Sequence, residues 1–242
     1  MEKIAELAVD DAFVVVDKPP GLVVIPARDG DAEDCVRARV ERARGERLWV
    51  VHRLDRDTSG VLLFARTAEA HRALCAAFEG REAKKEYAVF CRSERVMSSA
   101  GTISVPLHPA RKGKMRPALA GEQGALPCET PWERVRTAPT AIGPVARVTA
   151  RPKTGRQHQI RVHLRSIDAP LAVDPLYGGA SERAANALGS GSPPLSRLTL
   201  HATALSFPHP TRAGERVRVE SALWPDLAAL DAWLASREGA QS

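Results

Sequence analysis

The residues able to do chemistry crowd into three short segments. The first is His52-Arg53-Leu54-Asp55-Arg56-Asp57-Thr58-Ser59-Gly60, set between the apolar runs 48–51 and 61–64. Its ends are therefore anchored in a core, while charged and hydroxylated side chains crowd the turn at its edge. A plain connection between strands needs only a few polar residues with turn chemistry, and Asp57-Thr58-Ser59-Gly60 supplies that by itself. Asp55 is different, because it stands between Arg53 and Arg56 and nearby guanidinium charge favours the ionised carboxylate. That state suits a nucleophile or a charge partner better than a general acid, and a structural ion pair accounts for the same tripeptide.

The second segment is Thr154-Gly155-Arg156-Gln157-His158-Gln159-Ile160-Arg161-Val162-His163-Leu164. A helix over 155–167 would put Ile160, Leu164 and Ile167 on one face and aim its first-turn amides at an anion beside Arg156. Arg161 falls close to that buried face, where an unpaired guanidinium is costly. It needs an acidic partner that its own segment lacks, and Asp55 is a candidate from far away in sequence. His158 and His163 are five apart, not the four that put two metal ligands on one helical face, so both read as polar or satisfied core histidines. The third segment, Lys84-Lys85-Glu86-Tyr87-Ala88-Val89-Phe90, sets basic residues ahead of a strand that carries one of only two tyrosines. Tyr87 packs there as strand tyrosines do or, in a pocket, stacks on a base and relays a proton.

The charge pattern narrows the partner. The chain is +6 overall, yet residues 81–116 hold nine Lys or Arg against three Glu, and residues 151–165 hold five with no acid. The remainder is net acidic, so two basic segments form a footprint for a polyanion such as nucleic acid. A content of 5% aromatic residues argues against an extended stacking platform for single strands. At 44% hydrophobic and 26% charged, 242 residues suffice for a substantial core, which excludes a wholly disordered chain. No apolar run, 61–65 included, is long enough to cross a bilayer, and the acidic start MEKIAELAVDD is not a secretory signal. Four scattered cysteines, without a Cys-x-x-Cys pair, read as reduced thiols of a cytoplasmic protein.

A frame for these segments follows from periodicity. Phe13-Val14-Val15-Val16 and Leu22-Val23-Val24-Ile25 around Lys18-Pro19-Pro20-Gly21 predict a hairpin-like unit. Asp31 offers an N-cap to a helix carrying Val36, Val40 and Ala43 and stopping at Gly45. A second helix starts at Thr67, lines up Ala70, Leu74, Ala77 and Phe78, and stops at Gly80. Strands are expected at 48–51, 61–64, 86–91, 101–105, 131–137, 145–151, 196–207 and 216–220, with a surface loop over 178–194. A last helix begins at Pro225 with Leu227, Leu230 and Leu234 inward. Strands dominate without strict β-α alternation, so the expected class is α+β rather than doubly wound.

Taken in order, these segments resemble the RluA-type pseudouridine synthases. The likeness runs over roughly residues 11–208: Lys18-Pro19-Pro20-Gly21, the signature 52–60, Lys85-Glu86-Tyr87, the run Gly155 to Leu164, Asp174-Pro175-Leu176-Tyr177-Gly178 and Leu200-His201-Ala202. It implies a bent, largely antiparallel mixed sheet with flanking helices and a central catalytic cleft. It also implies an RNA uridine isomerase that needs no cofactor and no metal. Asp55 would attack the target nucleoside at base or sugar, Tyr87 would lie against the base and take the C5 proton, and Arg161 would pair with the aspartate. Arg53 would fill the gap left by the flipped uridine. The remaining candidates for RNA contact are Arg56, Lys85, Arg111, Lys112, Lys114, Arg116, Arg156 and His158, with 111–116 expected as a loop. The family pattern begins by about residue 11, so the expectation is a single catalytic domain over 1–242 without the small RNA-binding module many relatives carry ahead of it. The resemblance implies ribosomal or transfer RNA as the partner, and the expectation is a cytoplasmic monomer with no membrane association. Two alternatives compete: a non-catalytic RNA-binding or assembly protein, and a metal-dependent hydrolase using His52, His158, His163 and His201, against which the spacing argues.

Overall fold

A computed structural model describes residues 3–26, 34–93, 97–141, 143–178 and 188–238. The chain forms two compact units, Met1–Lys85 with His201–Ala222, and Glu86–Leu200 with Leu223–Ser242.

The first unit is a mixed sheet. Strand β2 (Phe13–Lys18) pairs antiparallel with β1 (Glu6–Val9) on one edge and with β4 (Ser59–Ala65) on the other. The far edge of β4 takes β3 (Trp49–Val50) antiparallel at Ala65 and Phe64, and β11 (Leu200–Pro208) parallel at Ser59 and Gly60. Strand β12 (Arg216–Glu220) closes on β11. Alternation along β2 sends Phe13 and Val15 into a core with Val61, Leu63, Leu74 and Phe207. The same period of two puts Lys18 in line with Val14 and Val16, and it is fully buried.

Helix α1 (Val36–Arg44) ends at Gly45, φ 68°, as expected, but its N-cap is Cys35, whose Sγ accepts from Ala38 N–H. The expected cap, Asp31, lies outside the described residues. Segment 22–25 is not a strand, so the hairpin around Lys18-Pro19-Pro20-Gly21 does not form. The carbonyls of Val23 and Val24 instead accept from the Val36 and Arg37 amides at 2.9 and 3.2 Å, serving the orphan donors of α1 rather than a ladder. Helix α2 (Ala68–Glu79) has the expected caps, Thr67 and Gly80.

Gly60 is the most closely approached of the described glycines in this unit. Its φ is 107°, and a Cβ there would stand 2.1 Å from the Ala202 carbonyl oxygen. Gly60→Ala therefore meets backbone strain and backbone collision together, and should cost roughly 3 kcal/mol or more in urea unfolding. A loss below roughly 1 kcal/mol would show that β4 and β11 can separate without consequence.

The second unit carries a sheet in the order β5 (Lys84–Arg92), β10 (Val145–Ala150), β9 (Thr130–Ala138), β6 (Ala100–Ile103), all antiparallel. Alternation divides its residues between two helices. Val89, Cys91, Ala146 and Val148 pack with Ile160 and Leu164 of α3 (Gln159–Ser166). Phe90, Val145 and Ala138 pack with Leu227, Leu230 and Leu234 of α4 (Pro225–Ala235). Those three leucines have no exposed surface, and burying each stabilises by roughly 2 kcal/mol.

The span expected as a loop over 111–116 is largely a hairpin. Strands β7 (Leu107–Pro109) and β8 (Met115–Pro117) pair across a single turn at Arg111–Gly113, and Leu107 and Met115 pack on Val162. Helix α3 starts at Gln159, four residues later than expected. Most of the expected loop 178–194 lies outside the described residues. The four cysteines are free thiols, and among the described residues no helix is long and apolar enough to cross a membrane.

Candidate active-site segments

In the first unit Asp55 sits half-buried on the loop joining β3 to β4, with Arg53 and Arg56 exposed on either side. The loop is held by main-chain contacts. The Asp55 carbonyl accepts from Thr58 N–H at 3.2 Å, and the buried Lys18 ammonium donates to the carbonyls of Arg56 and Pro19, each at 2.7 Å. A lysine charge without exposed surface demands such oxygens, so Lys18 is a brace for this loop. At the loop's exit Ser59 Oγ lies 2.8 Å from His201 Nδ1, and the His201 ring reaches the Ser221 carbonyl at 3.4 Å.

At the loop's entry His52 Nε2 accepts the Leu63 amide at 3.1 Å, and the ring stacks on Phe78 at 4.8 Å between centroids. Burial, with the Lys85 charge adding to it, brings the His52 pKa from 6.5 down to about 3. Holding the ring neutral contributes stability that is complete above pH 6.5 and is lost as pH falls from there towards 3. Urea unfolding at pH 7 and pH 4 should show a loss of about 3 kcal/mol from this group. His52→Gln, which keeps an acceptor for Leu63, should lack that increment; an equal loss in the variant would assign the acid limb to other groups. Lys85, named above for RNA contact, is mostly enclosed, and burial lowers its pKa to about 8.

In the second unit the long-range partner of Arg161 is visible. Its Nε and Nη2 donate to Asp174 Oδ2 and Oδ1 at 2.9 and 2.6 Å, both side chains being about 95% buried. Asp174 Oδ1 also accepts from the Leu176 and Tyr177 amides, each at 3.0 Å. Burial alone pushes this carboxyl up, but Arg161 and the two amides outweigh it and hold the pKa below the usual range. The sequence offers Asp55 as an acidic partner for Arg161, and Asp174 stands beside the guanidinium as a second carboxylate. The sequence signal for Asp174 is Asp174-Pro175-Leu176-Tyr177, an Asx-turn pattern in which the side chain ties its own following amides. Tyr87 lies on β5 opposite Ala150, partly buried against the core that includes Ile160 and Leu164.

The basic candidates separate by surroundings. Arg111 and Lys112 are exposed at the hairpin tip, Lys112 with φ 57°, and Gln157 Nε2 fixes that tip through the Gly113 carbonyl at 3.2 Å. Arg116 is on β8 rather than in a loop, and Glu122 engages both its terminal nitrogens; chiefly through that bond Glu122 is brought down to about 2. Arg156 is exposed, but its amide donates to Gln159 Oε1 at 3.0 Å, so the anion site expected at a helix start near Gly155 is already filled by a side chain. His158 Nδ1 lies 2.8 Å from the Tyr177 hydroxyl, and buried His163 reaches Thr130 Oγ1 and the Val105 carbonyl at 2.8 and 2.9 Å. His52, His158, His163 and His201, the set a hydrolase would need for metal, thus each have protein partners. Among the described residues no three His, Cys, Asp or Glu come together as a metal site.

The sequence model of the family described as RNA pseudouridylate synthase matches residues 12–166. A ribosomal large subunit pseudouridine synthase D from Xanthomonas campestris is 37% identical over 227 residues, covering 90% of this chain and 65% of its own length. The dual-specificity RNA pseudouridine synthase RluA of Escherichia coli K12 is 35% identical over 205 residues, covering 83% and 85%. Among solved structures, human RNA pseudouridylate synthase domain containing 1 superposes with a TM-score of 0.75 at 24% identity, covering 97% of this chain and 94% of its own, a likeness of fold. The loop carrying Asp55, the strand carrying Tyr87 and the helix carrying Arg161 all fall inside the matched span, and the chain belongs to the RluA-type RNA pseudouridylate synthase family.

Proposed function

We propose that the protein is an RNA pseudouridine synthase, isomerising one or more uridines of structured ribosomal or transfer RNA as a cytoplasmic monomer. The observation that carries this reading is the signature 52–60 with Asp55 at its centre, on a loop braced by a buried lysine, in a chain of this family. Asp55 is the nucleophile. Tyr87 lies against the base and takes the C5 proton, and Arg161 supports the ionised aspartate. The C1′–N1 bond breaks, a C1′–C5 bond forms, C5 loses a proton and N1 gains one. Composition and oxidation state are unchanged, so the reaction calls for no co-substrate.

A stacked uridine is out of reach of any side chain, so the base must leave its stack at a cost of a few kcal/mol, least in loops. Arg53 offsets that cost by filling the gap. Arg56, Arg111, Lys112, Lys114 and Arg156 serve phosphates, whose contacts position the RNA without reading its sequence. The test is a transcriptome-wide carbodiimide-stop map of pseudouridine in cells carrying wild-type or Asp55→Asn protein. Loss of discrete signals in the variant establishes the activity and names the RNA. Identical maps at equal expression would replace this reading with that of a binding or assembly protein.

A further inference from the structure

Tyr177 has no part in the reaction as proposed, yet every polar group it owns is engaged. Its N–H donates to Asp174 Oδ1 at 3.0 Å, and its carbonyl accepts from the Arg165 guanidinium. Its hydroxyl accepts the Met115 amide at 2.7 Å and lies 2.8 Å from His158 Nδ1. The hydroxyl thus bridges the Met115 amide and the His158 ring, linking hairpin β7–β8 to the residue that precedes α3. The ring carries Arg161 Cζ at 5.0 Å and Lys114 Nζ at 5.7 Å from its centroid, both within cation–π reach. The Arg161 head is therefore fixed on two sides, by the Asp174 fork and by the Tyr177 ring. Packing alone would need the ring but not a hydroxyl bonded from both directions.

We propose that Tyr177 is a positioning residue for Arg161, seating its guanidinium on the ring and tying that ring through the hydroxyl to the basic hairpin β7–β8. The proposal rests on the reading of Arg161 given above. The Met115 amide belongs to the hairpin that carries Arg111, Lys112 and Lys114. RNA seated on the hairpin thus bears on the ring that holds Arg161, and phosphate contact and carboxylate support become parts of one assembly.

Tyr177→Phe keeps the ring and removes the latch. Single-turnover kinetics should show the maximal rate down about tenfold with RNA affinity within twofold, the size expected for losing one partly buried hydrogen bond. The thermal midpoint should stay within a few degrees. In spectra of protein with ¹⁵N-labelled arginine, the Arg161 Nε–H signal should broaden and exchange faster in the variant. His158→Leu, which leaves no polar atom at the other end of the latch, should reproduce both effects. A wild-type maximal rate in Tyr177→Phe overturns the proposal, as does a rate loss that follows the thermal midpoint while the Nε–H signal stays sharp. Arg161→Lys serves as the control for the parent reading: an unchanged rate there removes the role of Arg161, and with it the role of Tyr177.

Discussion

Asp55→Asn protein should bind its RNA within about twofold of wild-type affinity and lose at least roughly 10⁴-fold in single-turnover isomerisation. Asparagine matches aspartate in shape but offers a neutral amide in place of a nucleophilic oxygen. Two contacts that shape the loop use its main-chain carbonyls, that of Asp55 with Thr58 and that of Arg56 with Lys18, and both survive the exchange. Affinity for a polyanion comes mostly from cations meeting phosphates, and none is removed. Removing a negative charge should, if anything, tighten binding at low salt. The assay is tritium release from C5-labelled RNA under enzyme excess, paired with a binding isotherm at fixed ionic strength. A variant rate within tenfold of wild type would remove Asp55 from the chemistry. Lost affinity together with lost rate would point to a collapsed loop, which Asp57→Asn, two residues on, should then share.

The parts of this structure legible in sequence are those specified by short-range pattern. Strand β12 occupies 216–220 and helix α4 begins at Pro225, because β-branched alternation and a proline at the first turn are local signals. Strand β1 is not legible in sequence because its four residues, two exposed and two half-buried, carry no such run, and only pairing with β2 makes it a strand. Strands β7 and β8 hold three residues each and depend on Leu107 and Met115 meeting Val162, a contact across more than forty residues of chain. Helix α3 starts late because Gln159 turns its side chain back to the Arg156 amide and the Thr154 hydroxyl. The need of Arg161 for a carboxylate is legible from the cost of burying a guanidinium, but charge has no period, and the Asx-turn pattern at Asp174 marks the amides it ties rather than the guanidinium it meets.

That pair sets the largest stability effect expected of a single change. Arg161→Ala should cost about 3–5 kcal/mol at pH 7, because it strands a carboxylate that is about 95% buried, whatever the fate of the proposed chemistry. The sign of the pH dependence separates this cause from a simple cavity. In wild type the Asp174 pKa is depressed, so the pair's contribution is present above about pH 4 and is lost as pH falls through the folded value. In Arg161→Ala the guanidinium is gone, burial pushes the carboxyl towards protonation, and acid relieves the strain rather than adding to it. The gap between wild type and variant should therefore narrow from pH 7 to pH 4, whereas a cavity penalty would not change. Asp174→Asn keeps an oxygen for the Leu176 and Tyr177 amides but carries no charge, so Arg161→Ala/Asp174→Asn should be more stable than Arg161→Ala alone. Urea titration of the four proteins closes the double-mutant cycle. Additive single effects would mean that Arg161 and Asp174 stabilise the fold independently, and that the two charges are not what holds the guanidinium in place.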